Sequence, residues 1–258
     1  MGILNITPDS FFDGGKFLSS KDILQQTEKM LNEGAAIIDV GGMSSRPGAE
    51  LIPEVEEQKR VINALEHLVK EFPQVIFSVD TWRSRIAEAA VQSGASMIND
   101  ISAGQWDDQL FRVAARNSCT LVLMHMPGKP GTMHQVPEYK NFPGDVLDFF
   151  RERIAAAKQA GLNSLVVDPG FGFAKTLDQN YSLLRNMPIF NELKVPILVG
   201  VSRKRMIANV IAKGPEEALN ATTAVHMLAL LGGARLLRVH DVAAAAEAIM
   251  IWNQYISA

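Results

Sequence analysis

A closed (β/α)8 TIM barrel, a single domain over residues 1–258, is the architecture this sequence predicts, and three observations carry it. Short β-branched runs alternate with longer segments of helical periodicity along the whole chain. The runs are almost wholly apolar, as strands are when helices cover both faces of a parallel sheet. Eight such units follow one another with no obvious linker. Eight units close a barrel, and they are many for an open doubly wound sheet, which stands second.

In order, strands are expected at residues 2–5, 36–40, 75–80, 97–99, 120–125, 164–168, 197–201 and 235–240. Between the first two, Ile23, Leu24, Met30 and Leu31 form a helical stripe closed by Gly34 as a stop. After the second, Val55, Val61, Ile62, Leu65, Leu68 and Val69 form another, with Pro53 suited to the first helical turn. The strand ends carry the functional information. They bear Asn5, Asp39, Asp80, Asn99, His125, Asp168, Ser202 with Lys204 close behind, and Arg238 with His240. In a barrel these ends converge on one face, where active sites are built.

With 47% hydrophobic and 21% charged residues the chain is an ordinary globular protein with a large core. A net charge of −3 and no long basic tract argue against nucleic acid as a partner. The apolar stretch from Ala224 to Leu231 contains His226 and is too short to span a bilayer. No secretion signal is visible, and Cys119, the single cysteine, reads as a buried thiol at a strand start. A cytoplasmic location fits these features.

Several chemistries are excluded by motif. There is no phosphate-binding P-loop, the run Gly170-Phe-Gly-Phe-Ala-Lys completes no dinucleotide fingerprint, and no nucleophile elbow is present. His125 and His134 have no ligand-like partner nearby, which argues against zinc. His67, His134 and His226 read as structural, and His125 as either pocket lining or core. Asp80, Asn99 and Asp168 remain, with acceptors and an amide suited to a flat heterocycle rich in N–H donors. Capping of the following helices is the alternative role for Asp80 and Asn99. Gly170 and Gly172 suggest a loop that leaves the Asp168 carboxylate accessible. Arg238 and His240 alternate with Val239 and therefore point to the same side. With Arg46 in Ser44-Ser45-Arg46-Pro47-Gly48, and with Lys204, they form a cationic set suited to phosphate oxygens.

The motifs GILNITPDSFFDGG, IDVGGMSSRPGA, SVDTW, INDI, LVLMHMPGKPGTM, VVDPGFGFAK, LVGVSRK and RVHDV together resemble those of the dihydropteroate synthases, over essentially the whole chain. The resemblance implies a pterin-binding barrel that joins 4-aminobenzoate to 6-hydroxymethyl-7,8-dihydropterin diphosphate in folate biosynthesis, a transferase and a sulfonamide target. By resemblance the pterin pocket falls on Asp80, Asn99, Asp168 and Lys204, with Met124, Phe173, Gly200 and Arg238 as walls. The diphosphate site falls on Asn5, Ser45, Arg46, Arg238 and His240, with Asn5 as a contact of a Mg2+ cofactor. The 4-aminobenzoate site falls on Phe11, Pro47, Phe173, Ser202 and Lys204, and the catalytic set on Asp168, Lys204, Arg46, Arg238 and His240. The resemblance also implies a dissociative substitution and a homodimer.

The chain departs from the family pattern at several positions. Met43 stands where many relatives have an acidic residue, Ser45 where threonine is usual, and Phe12 where serine is common, so the resemblance fixes the catalytic assignment but not the degree of sulfonamide sensitivity. Met1 directly precedes the first strand, so the short leader segment of the relatives is expected to be missing. Two other readings share parts of this pattern. The pterin-binding domain of a folate-dependent methyltransferase should lack the SRK and RVH cluster. A non-catalytic pterin-binding protein would be favoured by loss of Lys204, Arg46 or Asp168; all are present.

Overall fold

The short β-branched runs do form strands: β1 (Gly2–Asn5), β2 (Ile37–Gly41), β3 (Ile76–Asp80), β4 (Met97–Asp100), β5 (Thr120–Met124), β6 (Leu165–Asp168), β7 (Ile197–Val199) and β8 (Ala234–Leu237). The computed structural model describes residues 1–6, 20–43, 51–128 and 136–258. All eight strands are parallel and hydrogen-bonded in sequence order. The ring closes where Gly2 pairs with Val239: Ile3 N donates to Val239 O at 3.0 Å and Val239 N to Met1 O at 2.9 Å. The predicted barrel is therefore observed. Regular pairing of β7 and β8 ends earlier than expected, after a register shift at Ile197/Leu198, although Arg238 N still donates to Val199 O at 2.9 Å.

Helices connect the strands: α1 (Ser20–Asn32), α2 (Glu54–Glu71), α3 (Ser84–Gln92), α4 (Leu110–Arg116), α5 (Gly144–Gln159), α6 (Leu177–Arg185), α7 (Arg205–Ile211), α8 (Leu219–Leu231) and α9 (Val242–Ser257). Gly34, at φ +98°, closes the turn after α1 as expected. On α2 the stripe is corrected. Val61, Ala64, Leu65 and Leu68 are buried, but Val55 is 79% exposed, and Pro53 precedes the helix as its N-cap. At 100° per residue, Glu57 and not Val55 falls on the buried face, and Glu57 is fully buried there.

Period-two alternation divides each strand between two environments. On β5, Leu121 and Leu123 pack outward into the main core under the helices, while Val122 and Met124 face the axis. The axis is itself divided by height. Met97, Val122, Val166 and Leu198, with Met1, Ile37 and Leu236 beside them, fill its lower part with apolar side chains. One step further along the strands come Asp39, Asn99, Asp168 and Arg238. Apolar packing thus floors a polar upper chamber at the C-terminal ends of the strands.

Candidate active site

Arg238 organises this chamber. It follows β8, and its Nε donates to Asp39 Oδ2 at 2.6 Å and its Nη2 to Asp80 Oδ2 at 2.7 Å. Asn99 Nδ2 donates to the same Asp39 oxygen at 2.9 Å, while Asp39 Oδ1 makes no hydrogen bond among the described residues. Desolvation works against the buried guanidinium, but the carboxylates of Asp39 and Asp80 outweigh it and raise its pKa. Burial raises Asp80, and Arg238 opposes that rise. The helix-capping alternative for Asp80 and Asn99 is not what the structure shows, because both side chains bond across the barrel. Asp39 is not a strand end but the middle of β2, wholly buried.

The loop after β6 supplies the next group. Asp168 Oδ1 accepts from Gly170 N at 2.8 Å, and burial raises its pKa against the pull of the Lys204 ammonium. The carboxylate is less accessible than its two glycines suggested: Asp168 is 6% exposed, so it meets the chamber and not open solvent. Gly170, at φ +70°, is required, since a Cβ there would sit 2.1 Å from His125 O. Lys204 Nζ donates to Phe171 O at 2.5 Å and lies 4.5 Å from the centre of the Phe173 ring. Burial lowers its pKa to about 8, with Asp168 acting in the opposite direction. Behind the loop, Lys175 Nζ reaches His125 Nδ1 at 3.0 Å, Gly170 O at 2.9 Å and Phe173 O at 3.2 Å. Burial lowers Lys175 to about 7 and, with the Lys175 charge beside it, drives His125 well down. His125 is therefore core, edge-on to Phe149 at 4.9 Å, and not pocket lining.

On the far side, Ser202 Oγ accepts from His240 N at 3.2 Å and lies 3.2 Å from His240 Nδ1. Val239 is buried in the outer core while Arg238 and His240 line the cavity, as their alternation predicts. A Cβ at Gly200 would lie 3.8 Å from Arg238 Cβ and 4.0 Å from Asp168 Oδ2. Protein packing therefore does not demand glycine there, and the room it leaves opens between Asp168 and Arg238.

One cavity is lined by Ile3, Asp80, Asn99, Ile101, Met124, Asp168, Phe173, Gly200, Ser202, Lys204, Arg238 and His240. Sequence reasoning placed all of these except Ile3 and Ile101 in the site. Asn5 ends β1, and its Oδ1 would lie 3.4 Å from a Cβ at Gly41, at the same end of the barrel. Phe11, Phe12, Ser45, Arg46 and Pro47 lie outside the described residues. Ile101, Met124 and Met126 form an apolar wall with Trp82, Trp106 and Phe173 packed on it, and the two tryptophans meet edge-on at 5.4 Å. Sequence reasoning set Asp39 among the polar strand ends without giving it a role in the site, and it missed Lys175. Their signal was available: a charged residue inside an apolar strand, and a lysine ending a Gly-Phe-Gly-Phe loop. A chamber with opposed carboxylates, an amide, two cations and an apolar wall can hold a flat polar heterocycle, with an anion beside Lys204, Arg238 and His240.

The sequence matches the profile of the family described as pterin binding enzyme over residues 1–240. It is 42% identical to the dihydropteroate synthase of Escherichia coli strain K12 over 260 residues, covering 100% of this chain and 92% of that one. Two solved structures of dihydropteroate synthase from Xanthomonas albilineans superpose closely. The one with 4-aminobenzoic acid gives a TM-score of 0.92 at 41% identity, over 100% of this chain and 92% of that one. The one in complex with 7,8-dihydropteroate gives 0.89 at 38% identity, over 100% and 93%.

Proposed function

Because the chain belongs to the pterin-binding enzyme family, we infer that it is a transferase with dihydropteroate synthase activity. It joins 4-aminobenzoate to 6-hydroxymethyl-7,8-dihydropterin diphosphate and releases diphosphate. The observation that carries this reading is the convergence of Asp80, Asn99, Asp168, Lys204 and Arg238 on one cavity at the C-terminal mouth of the barrel.

Each side chain has a task set by its chemistry. Asp80, Asn99 and Asp168 take the N–H groups of the pterin, whose donors need partners once buried. Met124, Ile101 and Phe173 flank its ring. Lys204, Arg238 and His240 face the diphosphate and stabilise the negative charge that grows on it as the C–O bond breaks. The Asp168 carboxylate, with the Lys204 ammonium opposing the rise in its pKa, stabilises the positive charge left on the pterin methylene. The arylamine nitrogen then forms the C–N bond and loses its proton, so no strong general base is required. Ser202, Phe173 and Lys204 form the described part of the 4-aminobenzoate site; the family resemblance assigns Phe11 and Pro47 to the same site and Ser45 and Arg46 to the anion site.

The residues present fit a Mg2+ ion held largely by substrate. Among the described residues no group of three or more acidic, histidine or cysteine side chains is placed to hold a metal, whereas Asn5 offers one hard amide oxygen beside Gly41, at the same end of the barrel. When bound there the ion would neutralise charge on the departing diphosphate.

We also propose a cytoplasmic homodimer. Among the described residues no helix is long and apolar enough to cross a membrane. Leu228 and Leu231 of α8 are 52% and 54% exposed, and Met250 and Ile251 of α9 are 61% and 65% exposed, large apolar side chains that a second copy would cover. Release of diphosphate from the pterin diphosphate with Mg2+, in step with the 4-aminobenzoate consumed, is the expected result of the activity assay. Release that ignores 4-aminobenzoate, or none at all, would contradict the reading.

A further inference from the structure

We propose that Arg203 and Asp241, which do not line the cavity, are positioning residues for the diphosphate end of the reaction. The inference rests on the assignment of Lys204, Arg238 and His240 to that end.

The two residues form a forked ion pair: Arg203 Nε donates to Asp241 Oδ2 at 2.7 Å and Nη2 to Asp241 Oδ1 at 2.6 Å. Arg203 stands between Ser202 and Lys204 in the loop after β7, and Asp241 directly follows His240 after β8. The pair therefore ties together the two loops that carry the anion-facing groups, at one residue's remove from two of them, Lys204 and His240. Two planar ends joined by parallel hydrogen bonds fix orientation as well as distance, which a single contact to an ammonium would not.

The backbone at Arg203 points the same way. Its φ is +56°, in the left-handed region that a long side chain rarely occupies, and its N–H donates to the buried Thr222 Oγ1 on α8 at 3.2 Å. An uncommon conformation persists where its surroundings over-determine it. Here α8 holds the main chain from one side and Asp241 holds the side chain from the other. The result appears one residue away on each strand end, where Ser202 Oγ meets both His240 N and His240 Nδ1 at 3.2 Å. Ser202 and His240 line the cavity, while Arg203 and Asp241 are displaced behind them. Loosening the pair removes one of the links between the two loops, and leaves the Ser202–His240 contact to bear their alignment, without removing a group that touches substrate.

The test compares two ligands on the full chain, the pterin diphosphate and the unphosphorylated pterin alcohol, with Mg2+ present. Arg203→Met and Asp241→Asn are expected to raise the KM for the diphosphate about tenfold. The Kd of the alcohol should stay within about twofold, because Asp80, Asn99 and Asp168 hold it independently. The exchanged pair Arg203→Asp with Asp241→Arg should recover most of the loss, aspartate being tolerant of the left-handed conformation. Asp241→Asn is nearly isosteric and carries the test should Arg203→Met not fold. If both single variants lower Tm yet leave the ratio of the two affinities unchanged, the pair is merely a stabilising link and the proposal is wrong. His240→Ala is the control for the assignment beneath it. Should that variant also leave the ratio unchanged, the diphosphate end has been misplaced and the proposal falls with it.

Discussion

At the scale of single residues the chamber is governed by burial acting against charge. Lys204 is lowered to about 8 by desolvation, while the Asp168 carboxylate pulls it back up. A lysine lowered in this way is charged below pH 8 and loses its charge above it. We therefore expect kcat/KM for the pterin diphosphate to fall as pH rises through about 8. In Asp168→Asn the supporting carboxylate is gone, so the alkaline limb should move to lower pH while turnover falls by orders of magnitude. A limb that does not move would separate Lys204 from Asp168. Asp39 offers a second test. It is fully buried and accepts from both Arg238 and Asn99. Asp39→Ala leaves a guanidinium buried with one carboxylate, a change that typically costs about 3–5 kcal/mol. Denaturant unfolding should show that loss, and a change smaller than a surface substitution gives would mean that Arg238 had found another partner.

At the scale of elements, the sequence was readable wherever local periodicity decides the outcome. Apolar runs ending in a polar residue gave all eight strands, and the Arg238–Val239–His240 alternation gave the direction of both side chains. Val55 failed for a local reason too: it is apolar, but the helical angle places Glu57 on the buried face. Val55→Lys should therefore change stability by under about 0.5 kcal/mol. Leu65→Ala on the same helix should cost about 2–5 kcal/mol, and chemical denaturation of the two variants measures the contrast. The loop after β6 is less forgiving. Gly170→Ala meets His125 O at 2.1 Å in a left-handed conformation, so the loop must shift and carry Asp168 and Phe173 with it. Loss of most activity is expected, and full activity would show that the loop accommodates a side chain after all. The role of Asp39 was not legible because its bond to Arg238 spans 199 positions, and no local pattern records a contact made only by closing the barrel. Lys175 bonds mainly within its own loop, to Gly170 O and Phe173 O, but that its ammonium turns inward and is buried there is set by tertiary packing.

For the molecule as a whole, His226 sets a limit in acid. It is buried in α8 with neither ring nitrogen hydrogen-bonded among the described residues, and burial lowers its pKa to about 4 although Asp241 opposes the shift. The native state therefore holds the ring neutral. Its contribution is complete above pH 6.5 and is lost as pH falls from there toward 4, amounting at most to about 3 kcal/mol. His226→Leu should flatten the dependence of unfolding free energy on pH across that interval; an unchanged slope would assign the acid sensitivity to other groups. The barrel closure has a consequence of another kind. The contact between Asp39 and Arg238 spans 199 positions, and the ring shuts where Val239 meets Gly2. During synthesis the substrate seat can have no precursor. A ribosome-bound chain that has already made Asp39, Asp80, Asn99 and Asp168 still lacks the cation that joins two of them, and cannot yet recognise what it will bind. Ligand thus becomes able to stabilise the fold only once β8 has emerged, the strand for which β1 has waited longest.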